Sequence, residues 1–233
     1  MKKRYSILLV IVALFFCRSH AQQMAMPDPV TETSSSIYKD IESIDSKIRS
    51  NPSDENLLNE RANLYLKLNE FENALSDIER GLSINPKSDK LYYSQTLVYY
   101  KKKRYDSALE SATFAVNIAG TERNYFLRSN IYYARGEIRE AIRDLNKILE
   151  LNPRADYVYL QKAFWCNDLN MYYEEIKNYL YYIGISTDKI NVEQVKKRLA
   201  KIKKADRYYA NLIKAAKKDV RKNGYPWEYQ VWQ

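Results

Sequence analysis

The chain has few of the side chains that most catalytic and metal sites use. Its 233 residues include one histidine, His20, and two cysteines, Cys17 and Cys166. Histidine is the commonest general base and the commonest metal ligand. The sequence also has no Gly-rich phosphate loop, no nucleophile elbow and no Cys/His spacing typical of a metal site. We therefore predict a protein that is not an enzyme and that has no cofactor, no catalytic residue and no metal site.

Glycine and proline are scarce as well, with 5 and 6 copies. Charged residues make up 29% of the chain, and Leu, Ile, Ala, Lys and Glu recur at helical spacing. This composition predicts an all-α fold. Tyrosine is abundant, with 22 copies against 3 Trp and 6 Phe.

The amino terminus has the pattern of a secretory signal peptide, predicted at 1–21. Basic residues at 2–4 precede an apolar run at 7–16, and small residues at 19 and 21 precede Gln22. The run is short for a membrane span, which needs about 20 residues. An uncleaved anchor and lipid attachment at Cys17 are the weaker alternatives, the latter because two phenylalanines stand where a small residue is needed.

Removal of 1–21 changes the composition of the protein. The segment holds four basic residues and no acid, so the net charge falls from +9 to +5. The mature chain then has no histidine and one cysteine, which excludes an intramolecular disulfide. We expect an exported protein, either periplasmic or at the outer surface. Residues 22–35 are polar, contain two prolines and predict a flexible linker.

From residue 36 to residue 183 the chain repeats itself. Asn-Pro pairs end three apolar-periodic segments, at 51–52, 85–86 and 152–153. Small and bulky residues recur 33 or 34 positions apart. The small ones are Ala62, Thr96, Ser129 and Ala163, with Ala74, Ala108 and Ala141; the bulky ones are Tyr65, Tyr99 and Tyr132, with Phe71, Tyr105 and Ile138.

These residues resemble the tetratricopeptide repeat, which has a period of 34 and two antiparallel helices per unit. The resemblance implies a right-handed superhelical solenoid of antiparallel helix hairpins over 36–183. Its units are predicted at 55–88, 89–121, 122–155 and 156–183. The last unit departs from the pattern, because Cys166 replaces a tyrosine. Four isoleucines before the first unit predict an amphipathic helix that caps the array.

Residues 184–233 lose the repeat but keep a helical pattern. An apolar stripe from Val192 to Val220 predicts a basic C-terminal helical cap, as one helix or as two with a break near Asp206. The segment has 13 Lys or Arg and 5 Asp or Glu, a net charge of +8, so residues 22–183 carry −3. An aromatic tail, 225–233, follows a helix stop at Asn223-Gly224.

The resemblance also implies where a partner binds. The first helix of each unit lines a concave face, and family members bind an extended or helical peptide there. Amide side chains bind a peptide backbone, aromatic rings supply stiff contact area, and cations hold carboxylates. Alternatively, several of the tyrosines only pack between units. The positions carried over are Asn59, Asn63, Lys90, Tyr93, Tyr100, Lys101, Arg123, Phe126, Asn130, Tyr133, Tyr157, Phe164 and Asn167.

One sub-family holds the C-terminal carboxylate of chaperones with a set of Lys, Asn and Arg. Asn63 and Arg123 fit this clamp. Asn59 stands where a lysine is needed, and Ser94 and Leu127 stand where an asparagine and a basic residue are needed. We therefore reject the carboxylate clamp.

Two functions follow from the sequence. The first is a protein–protein interaction scaffold of a bacterial cell envelope that binds a partner polypeptide on the concave face. The second is association with anionic lipid or polysaccharide through the basic C-terminal helix, which carries Lys196 to Arg207. Export disfavours nucleic acid as a partner. The oligomeric state is left open.

Overall fold

The structure, a computed structural model, describes residues 34–205 and 207–224. The predicted signal peptide, all but the last two residues of the linker, and the aromatic tail lie outside the described residues. Within the described ranges the chain forms α-helices and no strand. The helices are α1 (Ser34–Ser50), α2 (Glu55–Lys67), α3 (Phe71–Ile84), α4 (Asp89–Lys101), α5 (Tyr105–Ile118), α6 (Glu122–Ala134), α7 (Ile138–Leu151), α8 (Asp156–Asp168), α9 (Tyr172–Ile185), α10 (Lys189–Ala205) and α11 (Arg207–Asn223).

The first helix of each predicted unit begins at the residue where that unit begins, namely 55, 89, 122 and 156. Three of these helices have a side-chain cap that accepts hydrogen bonds from backbone N–H groups of the first turn. Asp54 caps α2, Ser88 caps α4 and Thr121 caps α6. These caps explain why each of the three helices begins directly after a polar residue.

The turn inside each hairpin contains one residue with a left-handed backbone conformation. Asn69, Lys103, Gly136 and Asn170 have φ values of 60°, 57°, 81° and 59°. These left-handed residues are 34, 33 and 34 positions apart. The next residue in each turn donates its N–H to a carbonyl five positions back, which is a helix-ending Schellman bond. The fourth hairpin closes in this way too, although Cys166 supplies the carbonyl there.

The chain divides into two compact bodies. The N-terminal body comprises the described residues up to Asp144, and the C-terminal body comprises those from Leu145 onward. The boundary falls inside α7.

In the N-terminal body, the small repeated residues lie buried between helices. Ala62, Thr96 and Ser129 are at most 1% exposed. The hydroxyl groups of Thr96 and Ser129 donate to carbonyls of their own helices, so their burial leaves no unpaired donor. At Gly81 the approach is closest, because an added Cβ would lie 2.8 Å from Cδ1 of Leu91. Such contacts require small side chains at fixed intervals along the repeat.

Helix α1 covers the apolar end of the first hairpin. Its four isoleucines are buried in one cluster with Leu58 and Leu64 of α2. Their spacing of three or four residues places them on one face of the helix. The helix starts at Ser34, so it includes the last two residues of the segment predicted as linker.

The C-terminal body has a core rich in aromatic residues. Trp165, Tyr159, Tyr179 and Tyr182 are fully buried within the hairpin of α8 and α9. Helices α10 and α11 pack against α9 and against each other, so residues on the two sides of Asp206 form two helices. Cys166 is buried here as a free thiol, and burial raises its pKa to about 11. A thiol in this state is a weak nucleophile at neutral pH.

Candidate peptide-binding face

Ten of the predicted partner-binding residues lie on α2, α4 and α6 of the N-terminal body. We call the surface that these three helices form the first-helix face. The other three residues, Tyr157, Phe164 and Asn167, lie on α8 of the C-terminal body.

A polar cluster joins α2 to α4 on this face. The Ser94 hydroxyl is 2.7 Å from Oδ1 of Asn59 and 3.2 Å from Oδ1 of Asn63. One hydroxyl proton is shared between these two acceptors. Nδ2 of Asn63 donates to the Asn59 carbonyl at 2.8 Å. Within the described part of the chain Nδ2 of Asn59 has no acceptor, so this amide can donate to a guest.

A cation–π contact joins α4 to α6. The guanidinium carbon of Arg123 lies 3.4 Å from the centroid of the Tyr93 ring. Tyr93 is 6% exposed and Phe126 is 4% exposed. These two aromatic side chains therefore pack between helices and do not offer the exposed contact area that their positions predict. Arg123 itself is exposed and covers Tyr93.

Two tyrosines remain exposed on the face. Tyr100 and Tyr133 are 38% and 39% exposed. They occupy the same position in the last turns of α4 and α6, 33 residues apart. Adjacent packed helices lie about 8–10 Å apart, so the two rings can contact neighbouring side chains of one extended peptide. Asn130, one turn before Tyr133, is half-buried.

The face also carries positive charge. Lys90 and Arg123 are exposed, and Lys101 is half-buried. None of the three has an ion-pair partner among the described residues. An unpaired cation beside an aromatic ring suits an acidic or carboxylate-bearing guest.

Sequence reasoning missed a polar pair that recurs in every unit of the N-terminal body. Arg61 donates twice to Asp77, at 2.8 and 2.6 Å, and Arg128 donates twice to Asp144, at 2.8 and 2.7 Å. In the middle unit the equivalent hydrogen bond joins Ser111 to a glutamine, Gln95, at 2.8 Å. The sequence contains a signal for these pairs. The two members of each pair are 16 residues apart, and the first member directly precedes one of the small repeated residues of the first helix.

These pairs hold the two helices of a unit together and are unsuited to binding a guest. The carboxylates of Asp77 and Asp144 are 6% exposed, and both arginines are less than one-fifth exposed. The neighbouring carboxylate raises the pKa of Arg61 and of Arg128 above the usual range. Both guanidinium groups therefore stay charged, and each donates its hydrogen bonds to a carboxylate within the fold.

The three predicted residues of the C-terminal body differ in their surroundings. Tyr157 and Asn167 are half-buried. Phe164 is 9% exposed, because the Arg198 guanidinium from α10 lies 5.9 Å from its ring centroid and Tyr179 packs edge-on at 6.1 Å. The chain itself thus covers the ring that was predicted to contact a partner.

The described residues contain no group of three His, Cys, Asp or Glu side chains arranged to hold a metal ion. None of the helices between Ser34 and Gly224 has the length and apolarity needed to cross a membrane.

Two segments of the chain, residues 56–88 and 123–155, match family models described as tetratricopeptide repeat. The chain contains tetratricopeptide repeats. The two segments coincide with the hairpins α2–α3 and α6–α7, whose caps, turns and buried polar pairs are described above. The hairpin between them has the same length and the same turn.

Curated relatives match part of the chain. The chain is 29% identical over 97 residues to human (Homo sapiens) serine/threonine-protein phosphatase 5, a match covering 41% of this chain and 19% of the phosphatase. It is 24% identical over 127 residues to RNA polymerase II-associated protein 3 of Mus musculus, covering 54% of this chain and 19% of that protein. The match thus spans about a fifth of the length of either relative.

Solved structures share the fold. The tetratricopeptide-repeat protein YrrB, described as having an unusual peptide-binding site, superimposes with a TM-score of 0.59 at 18% identity, covering 76% of this chain and 91% of YrrB. MamA superimposes with a TM-score of 0.57 at 14% identity, covering 72% of this chain and 92% of MamA. These likenesses establish an all-α fold of tetratricopeptide-type helix hairpins.

Proposed function

We propose that this protein is a non-catalytic interaction protein that binds a peptide segment of a partner protein on the first-helix face. Tetratricopeptide-repeat proteins mediate protein–protein interactions, and YrrB is described as having a peptide-binding site. The proposal for this chain rests on one observation. Tyr100 and Tyr133 are both exposed, at the same position of α4 and α6, whereas Tyr93 and Phe126 of the same two helices are buried.

The side chains around the two tyrosines indicate the chemistry of the guest. The amide groups of Asn59 and Asn130 can bond to a peptide backbone. The rings bind apolar or aromatic side chains, and the unpaired cations favour acidic ones. Three helices at about 8–10 Å spacing span about 20 Å, which an extended peptide covers with about six residues. We infer a short, extended peptide that combines apolar and acidic residues.

The test is selection of peptides from a random library on the protein, followed by affinity measurement with substituted protein. The double substitution Tyr100→Ala with Tyr133→Ala is expected to weaken binding at least about tenfold, because aromatic anchors carry a large share of interface energy. Fluorescence anisotropy of a selected, labelled peptide measures the affinity.

The matched control is Phe114→Ala. Phe114 is 47% exposed on the second helix α5, outside the first-helix face. Its replacement is expected to leave the affinity unchanged. If the Phe114 variant loses as much affinity as the double tyrosine variant, or if the double variant binds normally, the guest does not bind on the first-helix face.

We propose further that the protein acts in a bacterial cell envelope after export. The support is the signal-peptide pattern of residues 1–21 described from the sequence. Expression in a bacterial host with its own secretion machinery is expected to give a product that begins at Gln22, as determined by amino-terminal sequencing and cell fractionation. A cytoplasmic product that retains residues 1–21 would contradict export.

A further inference from the structure

The carboxy-terminal helix α11 carries a continuous basic stripe on its exposed side. Six exposed residues share this side at helical spacing and span about 140° of the circumference and about 22 Å of length. None of them forms an ion pair with any described residue. The six, which we call the α11 stripe, are Arg207, Lys214, Lys217, Lys218, Arg221 and Lys222.

The single acid described on α11 lies away from the stripe. Asp219 accepts a hydrogen bond from Tyr173 at 3.1 Å and pairs with Lys177 at 2.8 Å, both on α9. These contacts hold the pKa of Asp219 below its usual range. The carboxylate of Asp219 is thus neutralised by α9, and the stripe is left without neutralisation.

Helix α10, which packs against α11, adds exposed lysines between Lys189 and Lys204. Only one of its basic residues is used inside the fold, since Arg198 donates to Glu175 at 3.1 Å. Two adjacent 17-residue helices therefore present twelve exposed Lys or Arg side chains. Juxtaposed charges of one sign cost stability unless a counter-charge occupies the surface.

An apolar side chain stands among the bases of α10. Ile190 is 74% exposed, more than any other large hydrophobic side chain in the described residues. Ile190 shares one side of α10 with Lys197 and Lys201, seven and eleven positions further on. Helices that lie on a membrane surface combine basic residues with apolar anchors that enter the headgroup region. A soluble polyanion would gain nothing from an exposed isoleucine.

We propose that α10 and α11 form a docking surface for an anionic lipid bilayer, held by the basic side chains and anchored by Ile190. Each Lys or Arg close to an anionic membrane adds to the attraction, so the six residues of the stripe suffice for measurable binding without covalent lipid.

The experiment is co-sedimentation with vesicles of about 30% phosphatidylglycerol in phosphatidylcholine, compared with pure phosphatidylcholine vesicles. The protein starts at Gln22, so it keeps every described helix and lacks the apolar run at 7–16, which could bind lipid by itself. Binding is expected to the anionic vesicles only, and to fall steeply as salt rises from about 0.1 to about 0.5 M. Equal binding to both kinds of vesicle would overturn the proposal.

A charge-matched pair of variants separates the surface from overall charge. Replacement of four stripe residues with glutamine is expected to lower the vesicle affinity at least about tenfold. Replacement of four exposed, unpaired bases of the N-terminal body lowers the net charge equally and is expected to change the affinity little. Equal losses in both variants would overturn the proposal. The stripe residues are Lys214, Lys217, Lys218 and Arg221, and the control residues are Lys39, Lys47, Lys87 and Arg139.

The apolar anchor distinguishes a bilayer from other polyanions. Ile190→Ser is expected to weaken binding to anionic vesicles and to leave binding to dextran sulfate and duplex DNA unchanged. If the wild-type protein binds duplex DNA or dextran sulfate at least as tightly as the vesicles, and Ile190→Ser has no effect on vesicles, the surface recognises a soluble polyanion instead. Circular dichroism of each variant checks that the helices are intact.

Discussion

Replacing Asp144 with alanine is expected to lower the free energy of unfolding by about 3–5 kcal/mol, because it leaves a charged arginine without its partner inside the fold. Arg128 is 16% exposed and donates two hydrogen bonds to Asp144. Among the described residues, no second carboxylate forms an ion pair with this arginine. Urea unfolding followed by circular dichroism measures the loss.

The other two units supply internal controls at the same position. Ser111→Ala removes one neutral hydrogen bond to Gln95, so a loss of only about 1 kcal/mol is expected. Asp77→Ala should be intermediate, because Arg61 also pairs with Asp45 at 2.6 Å. Equal losses for the three variants would show that the position matters through packing and that the charge of the arginine is irrelevant.

Much of the fold could be predicted because it depends on side-chain size at fixed spacing. The recurrence of Ala62, Thr96 and Ser129 identified the helix contacts, and the structure buries all three. The left-handed turns were not predicted, since Asn69 and Lys103 share no side-chain chemistry. What these turns share is a backbone conformation, and a glycine marks it only at Gly136.

The candidate site was harder to predict, because a helical position gives the direction of a side chain but not how deeply its neighbours cover it. Tyr93 and Tyr100 are both on α4 and both were predicted to contact a partner. Tyr93 is buried under Arg123, which the next helix supplies, whereas Tyr100 lies in the last turn and stays exposed. Burial of this kind depends on pairs of residues in different units, which a pattern along one unit does not contain.

The fourth unit shows a similar limit. Position 175 follows Ala141 by 34 residues, so it corresponds to the small residues Ala74, Ala108 and Ala141 of the other units. The structure has Glu175 buried there, and α10 supplies its partner, Arg198. From the sequence, Arg198 was assigned to the basic segment from Lys196 to Arg207, because the pattern of α10 alone does not reveal a buried acid on α9.

Arg198→Ala is expected to lower the free energy of unfolding by about 3–5 kcal/mol at pH 7, because it leaves the Glu175 carboxylate buried and unpaired. The Glu175 side chain is 4% exposed, and Arg198 is 15% exposed. Lys196→Ala, a change at an exposed base two residues earlier, is the matched control and should cost little. Urea unfolding by circular dichroism at pH 7 compares the two variants.

The effect of pH distinguishes charge from packing at this pair. Burial raises the pKa of Glu175 above its usual value, although Arg198 opposes the rise and Asp168 adds to it. A raised folded-state pKa means that the folded protein binds more protons than the unfolded chain, so stability increases as the pH falls through that pKa. Without Arg198 the pKa rises further, so the deficit of Arg198→Ala should shrink between pH 7 and about pH 5.

The double variant Arg198→Ala with Glu175→Leu completes this test. Removal of both charges replaces the pair with apolar contacts, and such replacements are often neutral in stability. Recovery of most of the lost stability at pH 7, together with loss of the pH dependence, is the expected result. If the deficit is the same at both pH values and the double variant stays unstable, Arg198 stabilises the C-terminal body mainly by packing on the rings of Phe164 and Tyr179, which lie 5.9 and 5.4 Å from its guanidinium.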